Sequence, residues 1–186
     1  MSSIVVAGDT SGSVTLSAPA VAGTTTLTLP SVSGTVLTSA SSQVNGPAFS
    51  AYASANQTGL TSATYVKAAF NTKVFDTNSN YDNTTNYRFT PTVAGYYQVN
   101  VSFLMSAAVT FNGQANIYKN GSLYNGSSYS SALSATLIIA ASSLVYLNGS
   151  TDYIEGYAFA NTSSGTWTIS GNQALTYFNA AMVRSA

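Results

Sequence analysis

A chain of 186 residues with 45% apolar side chains can bury one full domain and a smaller appendage, which excludes disorder from low hydrophobicity and high charge. Only 5% of the residues are charged, five basic against five acidic, and this balance offers no field to a nucleic-acid backbone. With no Cys and no His, disulfides, thiolate or imidazole metal sites and Ser-His-Asp or Cys-His nucleophiles are excluded.

The chain is expected to start naturally at Met1, and no basic stretch followed by an apolar one opens it, so no secretory address is expected. The longest apolar run, Ala132 to Val145, is broken by Ser134, Thr136, Ser142 and Ser143, so no membrane insertion is expected. Residues 1–44 carry an internal repeat in which Gly12, Gly23 and Gly34 are evenly spaced, as are Pro19 and Pro30. Val14, Thr25 and Val36 fall in register, and so do Leu16 and Leu27. Each unit reads as a turn at Gly, a short β-rich run and a terminating Pro. Units this short cannot bury a face alone, so the segment is expected to form an intertwined stem or to dock on another protein. Val14, Leu16, Leu27, Leu29 and Val36 are its anchor candidates.

The stretch Ala40 to Gly46 reads as a joint, and residues 45–186 as the second domain. From Pro47 to Ala53, Phe49 and Ala51 alternate with Ser50 and Tyr52, a strand signal. Tyr65 to Phe75 carries another strand or pair, and Asp76 to Asn86 reads as a polar loop of residues that bond their own backbone. The strongest signal is Phe89 to Met105, opened by Pro91 and by Gly95 as a positive-φ turn residue. Tyr97, Val99, Val101, Phe103 and Met105 point one way, and Tyr96, Gln98, Asn100 and Ser102 the other. Asn120-Gly121 predicts a type I′ hairpin between Ile117/Tyr118 and Leu123/Tyr124. Strands follow at Thr136 to Ala141, Leu144 to Leu147, Tyr153 to Ala160, Thr166 to Ile169 and Leu175 to Val183. About eight to ten short strands at regular spacing give an all-β antiparallel sandwich of jelly-roll type.

Several stretches resemble the globular head of complement component one-q and the tumour-necrosis-factor-like jelly rolls, especially forms found in phages and bacteria. They are AFSAY (Ala48–Tyr52), the block Lys73–Val99 with Phe75-Asp76, Asn80-Tyr81-Asp82, Phe89, Pro91, Gly95 and Tyr97, then YKNG (Tyr118–Gly121), Ser150–Gly165 and YFNAAMV (Tyr177–Val183). Thr151 stands where a Gly usually precedes the Asp, and Ala180 where Gly is common. The block Gly8–Ser41 resembles a segment of phage tail-fibre and collar proteins. The resemblance implies a homotrimer of ten-stranded jelly rolls with aromatics packed down the threefold axis, and leaves open which candidates face the axis and which the sheet interior. Its trimer-packing candidates are Tyr97, Val99, Phe103, Tyr157, Phe178 and Met182. A neutral surface wetted by Asn, Ser, Thr and Tyr resists self-association poorly, which agrees with burial against identical chains.

No pair of carboxylates is placed to flank a glycosidic bond, since Asp76 and Asp82 share a loop and Asp152 and Glu155 a strand. Asx-turn and solvation roles account for them, and no enzyme activity or cofactor is expected. Relatives of the fold sometimes hold calcium, for which Asp76, Asn80 and Asp82 could offer oxygens, although a plain turn is the simpler reading. Trp167, exposed beside Tyr124 and Tyr129, would suit stacking on a sugar; as a strand residue it would be core, and the core reading is preferred. The expected function is a trimeric phage fibre or spike, assembled in the host cytoplasm and released on lysis. Its N-terminus would hold other virion proteins and its head a host glycan or protein. The alternative is a capsid or collar decoration without a specific receptor.

Overall fold

The computed structural model describes residues 3–7, 10–17, 21, 23, 24, 26, 46–127, 130–132 and 136–186. The chain divides into two compact units, Met1–Gln43 and Val44–Ala186. In the first, β1 (Ser3–Ala7) and β2 (Ser13–Ser17) form an antiparallel hairpin that pairs Ile4 with Leu16 and Val5 with Thr15. Strand β2 follows the turn at Gly12, while β1 lies ahead of the glycine repeat. Leu27, Leu29 and Val36 lie outside the described residues, as does the side chain of Val14.

The second unit holds two antiparallel sheets. One is built on β9 (Ala94–Ala107). Strand β13 (Thr136–Asn148) pairs along one of its edges. On the other edge lie β16 (Tyr177–Ser185) and then β15 (Trp167–Ile169). The sheet is completed by β3 (Ala48–Tyr52) beside β16, β6 (Thr72–Asp76) beside β3, and β4 (Gln57–Leu60) beside β15. The other sheet centres on β14 (Ile154–Thr162), flanked by β10 (Phe111–Lys119) on one edge and by β5 (Thr64–Lys67) and β8 (Arg88–Phe89) on the other. Beyond them lie β7 (Tyr81–Asp82), β11 (Ser122–Gly126) and β12 (Ser130–Ala132).

The core fills the space between the sheets, because the period of two delivers every second side chain to it. Tyr97, Val99, Val101, Phe103 and Met105 enter from β9, Phe49 and Ala51 from β3, and Ile154, Ala158 and Ala160 from β14. Phe49 sits at one end of this core, its ring stacked on Tyr81 at 4.5 Å and on Phe89 at 4.6 Å, with Phe178 edge-on at 5.0 Å. The hairpin at Asn120-Gly121 takes positive φ at both residues, 52° and 77°. The chain pairs there as Lys119 with Ser122 and Tyr118 with Leu123.

Three local expectations differ. Thr136 to Leu147 is one strand, not two, because Ser142 and Ser143 keep the backbone ladder to Asn100 and Val99. The polar stretch Asp76 to Asn86 includes the short strand β7. Gly95 does not adopt positive φ; it lies in β9, where a Cβ would come within 2.5 Å of the Arg184 carbonyl oxygen. The absence of a side chain there permits close backbone approach rather than a turn.

Candidate functional site

Strand β13 is apolar on both faces. Ile139, Ala141, Val145 and Leu147 point into the core, while Ile138, Leu144 and Tyr146 point out of the sandwich and are exposed. An apolar run without alternation is the pattern of a strand covered on both sides. Beside it on β9, Tyr96 also faces outward, its ring centroid 5.5 Å from that of Tyr146. Tyr96, Leu144 and Tyr146, with Val183, Arg184 and Ala186, line an open cleft at one end of the sheet. The polar part of the same face is tied down: Gln98 Nε2 donates to Ser142 Oγ at 2.8 Å, Ser142 Oγ donates to Asn100 Oδ1 at 2.8 Å, and Asn100 Nδ2 donates to Asn179 Oδ1 at 3.0 Å.

The trimer-packing candidates need correction against this geometry. Tyr97, Val99, Phe103 and Phe178 are fully buried between the two sheets of one protomer, so they cannot line an axis between protomers. Met182 is half-buried and packs against the core. Tyr157 is half-buried on the outside of the other sheet, stacked at 4.0 Å on Tyr118. Burial lifts the Tyr97 hydroxyl to about 12, and that hydroxyl donates to the Val93 carbonyl at 2.6 Å. Among the surface-binding candidates, Trp167 is only 1% exposed and its indole N–H donates to the Thr61 carbonyl at 2.9 Å, so it is a core residue. Tyr124 is exposed and donates to the Leu144 carbonyl at 3.3 Å. Tyr129 lies outside the described residues.

The loop carboxylates hold backbone. Asp76 accepts the N–H groups of Asn80 and Tyr81 at 3.0 and 3.1 Å and pairs with Lys73. Asp82 accepts those of Thr84, Thr85 and Asn86 at 2.9 to 3.0 Å. These bonds, from Thr85 and Thr84 foremost, hold its carboxyl well below the usual range. Asp152 is lowered too, first by the Asn120 amide and next by Lys119. Among the described residues no three acidic side chains cluster as a metal site. Nor is any helix of the described residues long and apolar enough to cross a membrane.

The fold and the outward apolar face define a class: an antiparallel jelly roll with an unpaired sheet face. Murine APRIL at pH 8.0 shares the architecture, with a TM-score of 0.52 and 8% identity over 75% of this chain and 100% of that one. The pH 8.5 form gives 0.51 at 8% identity over the same shares, 75% and 100%. The globular domain of zebrafish complement 1qA aligns over 76% of this chain and 100% of its own at 17% identity, with a TM-score of 0.43. The likeness to APRIL shows the fold alone, an all-β antiparallel jelly-roll sandwich. No protein-family model matches the sequence, and no curated protein matches it.

The outward face of β13 was legible in part. The alternation placed Tyr96 opposite the core residues, and a large aromatic on the polar side of a strand is itself a signal of a second contact.

Proposed function

We propose that the protein is a non-enzymatic virion structural protein, a homotrimeric phage fibre or spike. Its N-terminal unit anchors it to the particle and its jelly-roll head contacts the host surface. The observation that carries the reading is the exposed apolar face of β13 and β9, with Ile138, Leu144, Tyr146 and Tyr96. Apolar surface on this scale in a chain with so few charges calls for a cover, and a second and third copy of the same chain supply one of matching chemistry.

The N-terminal hairpin supports the anchor. Ile4, Val5, Val6 and Leu16 are all exposed on it, and a lone two-stranded hairpin is marginal in water. Other virion proteins, or the same hairpins of neighbouring copies, would complete it. The resemblance of Gly8–Ser41 to tail-fibre and collar segments adds the phage context.

The test is electron cryo-microscopy of the intact particle with this chain's density located. Trimeric density at the tail or collar with heads outward supports the proposal. Many copies on capsid capsomers would replace it with a decoration role. No virion density would overturn both.

A further inference from the structure

The second sheet carries a different surface on its outside. Tyr157 and Phe159 of β14, Tyr118 of β10 and Tyr65 of β5 all project from this face: Tyr157, Phe159 and Tyr118 are each one residue off the inward core positions Ala158, Ala160 and Ile117, and Tyr65 stands in register with Phe159. The Tyr118 and Tyr157 rings stack at 4.0 Å and 21°. The Tyr65 ring leans on Phe159 at 4.7 Å and approaches Tyr118 at 6.2 Å. Its hydroxyl reaches across β14 to Gln114 Oε1 at 3.4 Å. The rings are therefore held in place before any ligand arrives, which lowers the ordering cost of binding.

Beside them lies Asn116, the cross-strand partner of Tyr157. It is 1% exposed, and its Nδ2 is the one buried side-chain nitrogen or oxygen among the described residues without a hydrogen-bond partner. Its carboxamide lies over Gly126, where a Cβ would stand 2.3 Å from Oδ1. A buried amide donor left unpaired is costly, and native structures keep such groups where something else satisfies them. The strand that flanks Asn116, β11, is exposed along its whole length.

Charge is absent from the platform in any free form. Lys67 pairs with Glu155 at 2.7 Å, Arg88 sits 4.5 Å over the Tyr153 ring, and Asp82 is held by its own loop. A ligand matched to this face has an apolar side for a fixed aromatic, hydroxyls for nearby amides, and no net charge. That is the chemistry of a neutral saccharide.

We infer that the tyrosine platform Tyr65–Tyr118–Tyr157, with Asn116 as its polar partner, is a binding site for a neutral glycan. The inference rests on the reading of the head as a host-contacting surface and supplies the ligand class for that contact. A pyranose ring stacks against the outer tyrosine faces, and a sugar oxygen accepts from the Asn116 amide once β11 gives way.

The experiment uses the full chain on a printed array of neutral hexose, deoxyhexose and N-acetylhexosamine oligosaccharides, with sialylated and sulfated counterparts alongside. The expected result is binding to a subset of neutral glycans. Tyr118→Ala and Tyr157→Ala should each weaken it about tenfold or more, and Asn116→Ala should weaken it as well. Tyr157→Phe, which keeps the stacking face, and Val74→Ala, on the other sheet, should retain it. Circular dichroism and thermal melting of each variant separate lost binding from lost fold. Binding to no neutral glycan, binding only to charged ones, binding untouched by the tyrosine substitutions, or attachment that persists on deglycosylated host surfaces would each overturn the inference. Failure on the array leaves the particle microscopy unaffected, and absence from the particle leaves the array result standing, so the two readings fail separately.

Discussion

Tyr96 of β9 and Tyr146 of β13 stand directly opposite each other across an antiparallel ladder, on the side of the sheet that faces away from the core. Each is more than two-fifths exposed, at 41% and 42%, and Leu144 beside them is 51% exposed. If this face joins copies of the chain, a charge there has a cost in the assembly that it lacks in the single protomer, where the site is wet. Leu144→Asp and Tyr146→Asp are expected to convert a trimer into monomers that keep their β-sheet circular dichroism. Sedimentation velocity reads the outcome directly, and a wild-type chain that already sediments as a monomer at micromolar concentration would remove the premise.

Phe49 tests the core in isolation. It meets Tyr81, Phe89 and Phe178 in one aromatic group that joins β3 to the short strands of the other sheet. Phe49→Ala should cost about 3–5 kcal/mol in urea denaturation, by lost burial and by the cavity left between the sheets. Phe75, on the neighbouring strand β6, is exposed, and Phe75→Ala should stay within about 0.5 kcal/mol. The contrast between two phenylalanines on paired strands would confirm which side of the sheet holds the core.

The sandwich was legible because alternation is a local property. Tyr97 to Met105 declares its inward face from period alone, and Asn120-Gly121 declares its hairpin from the two positive φ angles it needs. What alternation does not encode is the identity of the apolar neighbour. A side chain facing the other sheet and one facing another subunit obey the same pattern, and so the sequence left open whether Tyr97, Val99, Phe103 and Phe178 face the axis or the sheet interior, and they fill the sandwich. The break placed at Ser142 failed because the ladder bonds through backbone, and the serine hydroxyl adds a bond to Asn100. The tyrosine platform was invisible because Tyr65, Tyr118 and Tyr157 sit on three different strands, brought together only by the order β5, β14, β10. Strand β4, Gln57–Leu60, gave no signal, being a short edge strand with a glycine in it.

The absence of His and Cys predicts an unusual pH profile. With neither residue present, no side-chain type in the chain has an ordinary pKa between the carboxylate range and the tyrosine range, so stability should be flat from about pH 5 to about pH 9. On the acid side, Asp82 and Asp152 have lowered pKa values in the fold. Their contribution is present above the unfolded carboxyl value of about 4 and is lost as pH falls below it toward the folded values. On the alkaline side, burial raises Tyr97 to about 12 and raises Tyr81 further. Their contribution is full below the unfolded tyrosine value of about 10 and is lost as pH rises towards and beyond 12. Denaturant midpoints measured across the range should trace a plateau with two shoulders. Asp82→Asn should lower the plateau and soften the acid shoulder, and Tyr97→Phe should soften the alkaline one. A midpoint that moves between pH 6 and 8 would contradict the assignment.

Gly149 and Gly165 share a backbone angle and differ in their surroundings, and this separates two costs that are usually confounded. Both have φ of 72°. A Cβ on Gly165 would meet nothing within 4 Å, whereas one on Gly149 would fall 2.3 Å from the Ala94 nitrogen and 2.5 Å from the Val93 carbonyl carbon. Gly165→Ala should therefore carry the left-handed penalty alone, about 1–2 kcal/mol. Gly149→Ala should carry that penalty and also push the start of β9 away from the end of β13, where Asn148 pairs with Ala94. Backbone cannot move aside as a flexible side chain can, so the loss should exceed that of Gly165→Ala by at least about 1 kcal/mol. Equal midpoints for the two variants in chemical denaturation would mean that the β9–β13 junction yields freely, and that the ladder carrying Tyr96 and Tyr146 is less rigid at this end than the close approach implies.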